Sequence, residues 1–315
     1  MSDHRGSADL FLLAPTWKGR GLALLRFLAF VVLFCVFTVA LVLLFWLLLW
    51  LWHVDPRTQL ETSLAMQVAA EGLGALAATA VMARAGGRRL GEFGFGGSGR
   101  WRKLLIGAAG GLAVLALMLL VLRLAHAFTL EPASDRVSAT MLNAVFYALL
   151  MLGVAFSEES FSRGYALTAL SQSISFWPAA IVLGGVFGLM HAANSGETAI
   201  GLASAALLGL LLAYSFRRTR SLWFALGFHA GWDYAESFVF GVPNSGLTLP
   251  GSLFQGRFDG PSWLTGGSAG PEGSVLILLV FGAIVLIIEK ISRAAGGDDP
   301  DAPAAAGLAM TSDWR

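Results

Sequence analysis

A single cysteine, Cys35, occurs in the whole chain, and charged residues fill only 13% of its 315 positions. A lone thiol excludes an intramolecular disulfide framework and any zinc site built on cysteines. Cys35 itself lies in an apolar run and reads as a small buried or lipid-facing residue. Charge at about half the share usual in soluble globular domains excludes a soluble enzyme. Neither sign is in excess: 21 Lys and Arg against 20 Asp and Glu leave a net charge of +1, which gives no reason to expect nucleic acid as a partner. Also missing are a His-Glu-x-x-His zinc motif, a Gly-x-Ser-x-Gly nucleophile elbow, a regular internal repeat and the inverted repeat of a transporter.

What fills the chain is apolar. Hydrophobic types make up 56% of it, with 10 Trp and 22 Phe, and the mean hydropathy is +0.71. A membrane span needs about 20 mainly apolar residues, and the sequence offers eight such stretches. Five are plain: Leu22–Trp52, Leu104–Phe128, Ala139–Phe156, Ala199–Phe216 and Ser274–Ile291. Three are weaker because each carries an ionisable residue: Thr62–Met82, Pro178–Ala193 and Leu222–Phe240. The first run is too long for the apolar region of a cleaved signal peptide and is expected to be retained as a tilted helix. The expected fold is therefore an all-α, polytopic membrane bundle of about eight helices.

Cationic residues near the span ends set the expected orientation. Arg5, Lys18 and Arg20, then Arg84, Arg88, Arg89, Arg100, Arg102 and Lys103, then Arg217, Arg218 and Arg220, and finally Lys290 and Arg293 fall on one side of an eight-span arrangement. The opposite loops hold only Arg57, Arg123, Arg136 and Arg257, so both termini are expected in the cytoplasm. Residues 1–21 read as a cytoplasmic segment, 22–293 as the transmembrane domain and 294–315 as a disordered tail. Val242–Gly273, rich in Gly, Pro and Ser, reads as an irregular loop partly covering the outer face. Gly94–Gly99 matches Gly-x-Gly-x-x-Gly literally, but with no strand before it a flexible loop is expected.

An ionisable side chain inside a span costs about 2.5 to 3.5 kcal/mol, so it normally has a partner and often a function. Those in the spans are Glu71, Glu158, Glu159, Arg163, His191, His229, Asp233 and Glu236, all but Glu71 lying in spans four to seven. Glu159 and Arg163 share a helix face at i, i+4 and are expected to pair, which leaves Glu158 aimed elsewhere. His229 and Asp233 share a face by the same spacing. If spans four and five form a hairpin turning at Ser173–Ser175, Glu158 and His191 stand at matching depth and meet by antiparallel packing. Glu158 could then take a proton from a water that His191 helps to hold, while His229 and Asp233 polarise the developing oxyanion directly or through a metal. Glu236 reads as cavity rim, and Glu71 either pairs with an arginine or faces the cavity.

Three motifs, Glu158-Glu159-x-x-x-Arg163, Phe187-x-x-x-His191 and His229-x-x-x-Asp233, resemble those of the CPBP family, also called Abi or CAAX-protease-like, which includes the type II CAAX prenyl endopeptidases. The resemblance covers roughly residues 100–240. It implies an eight-span helical fold and a peptide-bond hydrolase of the bacterial plasma membrane. Glu158 and His191 would activate water, His229 and Asp233 would form the oxyanion site, and Glu159 and Arg163, with Phe187, would support it. The last motif often ends in asparagine in that family; Asp233 here strengthens a metal reading. A divalent metal such as zinc, held by Glu158, His191, His229 and Asp233, and a metal-free mechanism are both compatible with the pattern. The implied partners are the lipid bilayer and a membrane-associated or lipidated peptide or protein substrate. Two alternatives stand beside it: a catalytically idle scaffold or immunity-type protein of this fold, and a haem or ion-handling protein using His191 and His229 as ligands.

Overall fold

The computed structural model describes residues 10–53, 60–133 and 137–294. Arg5, Arg57 and Arg136 of the charge comparison, and the tail beyond residue 294, lie outside the described residues. The first helix, α1 (Trp17–Leu51), is a continuous run of Leu, Val and Phe capped by Thr16, whose hydroxyl accepts from Gly19 N at 3.1 Å. Beyond Arg26 it carries no charge, and only Ala23 and Phe30 are fully buried in the protein. Cys35 lies on its exposed surface, which in a bilayer faces lipid.

The chain continues through α2 (Leu60–Ala85), α3 (Arg100–Leu124), strand β1 (Phe128–Pro132), α4 (Val137–Glu159), a π-helical turn (Ser160–Tyr165) and α5 (Ala166–Ile174). Then come α6 (Phe176–Met190), α7 (Ala199–Thr219), α8 (Trp223–Tyr234), a second π-helical turn (Ala235–Phe240), β2 (Phe254–Phe258), the short α9 (Ser262–Thr265) and α10 (Ile277–Ala294). Six helices among the described residues are long and apolar enough to cross a membrane, ending with α7. The expected seventh and eighth spans correspond to α8 with its π turn and to the 18-residue α10. Both carry more charge, Asp233 and Glu236 in one and Glu289, Lys290 and Arg293 in the other. The protein is an all-α polytopic bundle.

The closest helix pair is α3 with α8. A Cβ on Gly107 or Gly111 would run into the carbonyl oxygens of Phe224 and Phe228, and one on Gly227 or Gly231 into those of Leu104 and Ala108. Four glycines at i, i+4 spacing on two facing helices thus let the backbones touch, the small-residue contact that packs helices where lipid offers no hydrophobic drive. α8 packs on α4 as well, α4 on α2, and α6 on α7.

Polar contacts identify the two ends of the bundle. At one, Leu222 N donates to Gly94 O at 3.0 Å, Lys103 Nζ to Thr219 O at 3.3 Å and Ser292 Oγ to Arg218 O at 3.4 Å. At the other, β1 pairs antiparallel with β2, Phe128 opposite Phe258, and Asn194 Nδ2 donates to Ser245 O at 2.9 Å. The cationic loops therefore gather at the first end, and the 242–273 segment covers the second.

Two boundaries and one loop differ from the sequence reading. The third span stops at Leu124, where the chain turns through His126 at a φ of 58° and Phe128 enters β1. The fourth continues past Phe156 to Ile174, because the π turn, with Gly164 at ψ −111°, bends the helix without ending it. The Gly94–Gly99 segment is anchored, since Leu222 N and Trp223 Nε1 hold the carbonyls of Gly94 and Phe95.

Candidate active site

The π turn begins directly after the two adjacent glutamates and separates their environments. Glu159 is fully buried, and its Oε1 accepts from Arg163 Nη1 at 2.7 Å. The same oxygen accepts from His229 Nδ1 at 3.0 Å across the α4–α8 contact. Arg163 is equally buried, donates to Ser162 Oγ at 2.8 Å and lies 4.2 Å above the centre of the Phe187 ring. Glu159 thus braces more than its own helix, as it also fixes the imidazole on α8.

That bond decides the proton on His229. A carboxylate paired with arginine can only accept, so Nδ1 carries hydrogen. Nε2 then faces Asp233 Oδ2 at 3.4 Å and Glu158 Oε2 at 3.7 Å. A bare lone pair would oppose two acceptors, whereas an N–H there is attracted to both, so the geometry fits a histidine protonated at both nitrogens. His191, at the end of α6, sends Nδ1 to the Phe187 carbonyl at 2.8 Å. A carbonyl only accepts, so in the neutral ring Nε2 is left as an acceptor.

Glu158, His191, His229 and Asp233 all line one cavity of about 220 Å³, together with Phe187, Glu71 and Gln67. Residues of the 242–273 segment, Asn244, Ser245 and Glu272, also line it. Glu272 Oε2 accepts from both the backbone N (2.9 Å) and Oγ (2.6 Å) of Ser245. Glu197, in the loop between α6 and α7, sits beside this region; burial, and then the charge of Glu272, push its carboxyl above the ordinary range, against the opposing bond from Thr198 N.

Among the described residues, no three His, Cys, Asp or Glu side chains are arranged to hold a metal ion. His229 uses Nδ1 on Glu159 and turns Nε2 toward two carboxylates, and His191 commits Nδ1 to a carbonyl. The donor set as it stands does not fit a metal.

Residues 140–235, which contain all three motifs, match the family model of type II CAAX prenyl endopeptidase, Rce1-like. Over this segment the chain is similar to that family. No curated protein and no solved structure matches the chain. The matched segment runs from the start of α4 to the second π turn, so the α4, α6 and α8 residues of the site lie inside it, while Glu71, Gln67 and the 242–273 segment lie beyond its bounds. The long apolar helices around it are those of an integral membrane protein.

The route by which Glu158 and His191 converge differs from the expected hairpin. α5 does turn back on α6 at Ser175, yet α4 rests mainly on α2 and α8. The two residues line the same cavity, with the Phe187 ring 5.0 Å from His191 and 6.0 Å from His229. Glu71 faces the cavity and accepts from Gln67 Nε2 at 3.0 Å. Glu236 is fully buried, not at a rim, and neither of its oxygens makes a hydrogen bond of normal geometry. The sequence reading passed over Gln67, Asn244, Ser245 and Glu272, and also the paired Gly-x-x-x-Gly spacings of α3 and α8. Only the last had a signal in the sequence.

Proposed function

We propose that the chain is an intramembrane endopeptidase that hydrolyses a peptide bond in a membrane-associated or lipidated peptide or protein. The observation that carries this reading is the convergence of Glu158, His191, His229 and Asp233 on one cavity, with both imidazoles pinned at Nδ1. A water hydrogen-bonded to His191 Nε2 gives a proton to Glu158 as its oxygen attacks the carbonyl carbon. The oxyanion that forms takes a hydrogen bond from His229 Nε2–H. Collapse breaks the C–N bond, and Glu158 returns its proton to the leaving amine, which yields one new carboxyl and one new amine terminus. Glu159 and Arg163 touch no reacting atom in this scheme; they position His229.

Asp233 is the position at which a metal-free and a metal-dependent mechanism part. Asparagine donates a hydrogen bond to an oxyanion but is a much weaker metal ligand than a carboxylate. For the metal-free scheme, Asp233→Asn is expected to keep or raise turnover, with chelators having little effect. Parallel loss of activity and of zinc in the purified variant, measured by elemental analysis, would instead establish a divalent metal as cofactor. Loss of activity with no metal in either protein would contradict both and assign an ionised Asp233 to orienting His229.

We further propose a multi-pass arrangement in a bacterial plasma membrane with both termini in the cytoplasm. The support is the gathering of Lys103, Arg218 and Arg220 at one end of the bundle. Reporter fusions are expected to place the 86–99 loop inside and the 242–273 segment outside. An external location for Arg217–Arg220 would reverse the assignment.

A further inference from the structure

The end of the bundle at which Leu222 meets Gly94 gathers Lys and Arg from α1, α2, α3, α7 and α10. Against them, among the described residues, stand only Glu92 and Glu289. Both are already engaged: Glu92 Oε2 lies 2.9 Å from Arg88 Nε, and Glu289 lies 3.1 Å from Arg218 Nε and 3.9 Å from Arg293 Nε. The other end has no such excess, since Arg123 and Arg257 stand there with Glu131 and Asp259. A surface of one sign at the edge of a bilayer draws in charge of the other.

The excess is least relieved where α3 begins. Arg100 and Arg102 are exposed, and neither makes a hydrogen bond or ion pair among the described residues. Lys103, in the same turn, donates to the neutral carbonyl of Thr219 at 3.3 Å, which cancels no charge. Because the first turn of α3 contains no acidic residue, the positive end of the helix dipole adds to these cations. The Arg100 guanidinium lies 5.2 Å from the centre of the Trp101 ring and 5.9 Å from that of Trp223, and the two indoles are 5.2 Å apart. Trp223 is held by its bond to Phe95 O, whereas Trp101 is exposed. Indoles settle at the headgroup level of a bilayer, so this pair holds a guanidinium at the depth of the lipid phosphates. Arg20 over Trp17 and Arg217 over Trp177 repeat the pairing around the same end.

We infer that Arg100, Arg102 and Lys103, mounted on Trp101 and Trp223, form a binding site for the headgroup of an anionic phospholipid from the surrounding bilayer. A guanidinium presents a planar fork that matches phosphate, and stacking on the indoles leaves it less freedom to lose on binding. A zwitterionic headgroup brings its own ammonium and cannot relieve the excess. An acidic soluble protein would have to displace lipid to reach an arginine seated on interfacial tryptophans. The bound headgroup ties the first turn of α3 to the start of α8. The site stands apart from the cavity and does not depend on the endopeptidase reading.

The test titrates the detergent-solubilised full-length protein with dioleoylphosphatidylglycerol or dioleoylphosphatidylcholine and counts bound lipid by native mass spectrometry. The first phosphatidylglycerol is expected to bind at least about tenfold more tightly than the first phosphatidylcholine. That ratio should fall as ionic strength rises. Arg100→Gln with Arg102→Gln should remove most of it, while Arg123→Gln with Arg257→Gln at the opposite end should leave it intact. Trp101→Leu, which keeps every charge, should lower it at least severalfold because the fork is no longer held. Melting temperatures of all variants are measured alongside; if the double variant does not fold, Trp101→Leu and the salt titration decide. Equal affinity for the two lipids, or a preference that survives both the double variant and Trp101→Leu, overturns the inference. Release of the lipid by millimolar inorganic phosphate at constant ionic strength would show a site for free anions and overturn the lipid as its occupant.

Discussion

Glu158→Gln is expected to lower turnover by about 10²- to 10⁴-fold, the usual contribution of a positioned general base, while the protein still inserts and melts like the wild type. The amide keeps the size and shape of the side chain but accepts no proton from water. Folding should tolerate the change because Glu158, unlike its neighbour, is only partly buried and braces nothing: its nearest described charge partner is His229 Nε2 at 3.7 Å. Comparing the membrane proteome of cells carrying the wild-type and the Gln protein, and following new termini by mass spectrometry, reads both the activity and its substrates. Wild-type turnover in the variant on an identified substrate would remove Glu158 from the mechanism, and a scaffold or haem protein would be indifferent to the exchange.

The adjacent substitution should behave in the opposite manner. Glu159→Gln leaves the guanidinium of Arg163 buried without its anion and weakens the bond that holds His229 Nδ1. Removing one partner of a buried pair costs about 3 to 5 kcal/mol, so loss of yield and a lowered melting temperature are expected, with loss of activity following. A double variant, Glu159→Leu with Arg163→Met, removes both charges and should recover much of the stability without recovering catalysis, because His229 is still unbraced. If the double variant were active, Glu159 would be a structural residue only. If the single variant were as stable as the wild type, the ion pair would not carry the local fold.

Much of this arrangement was legible in the sequence because the bilayer makes a simple demand. Runs such as Leu22–Trp52 have no other stable state, and helix existence followed from length alone. The ends did not follow. Whether the third helix stops at Leu124 depends on β1 finding β2, about 130 residues away along the chain, and the continuation of α4 through Ser160–Tyr165 depends on a backbone bond pattern that apolar periodicity does not report. For the site, i, i+4 spacing correctly paired Glu159 with Arg163. It could not show that Glu159 also reaches His229, 70 positions later. Ser245 and Glu272, 27 positions apart in a segment without periodicity, left no trace that they would line the cavity together.

The glycine contact between α3 and α8 has a consequence for how defects in this molecule are to be interpreted. α3 lends no side chain to the cavity, yet its backbone is the surface on which Gly227 and Gly231 rest, on either side of His229. It serves as a gauge block: its thinness sets how far the imidazole stands from the two carboxylates. A bulky residue placed at Gly107 or Gly111, far from any reacting atom, shifts that spacing before it unfolds anything. Catalysis can fall steeply when a group moves by about 1 Å. Inactive substitutions found along α3 therefore report on alignment and carry no information about chemistry at the positions themselves.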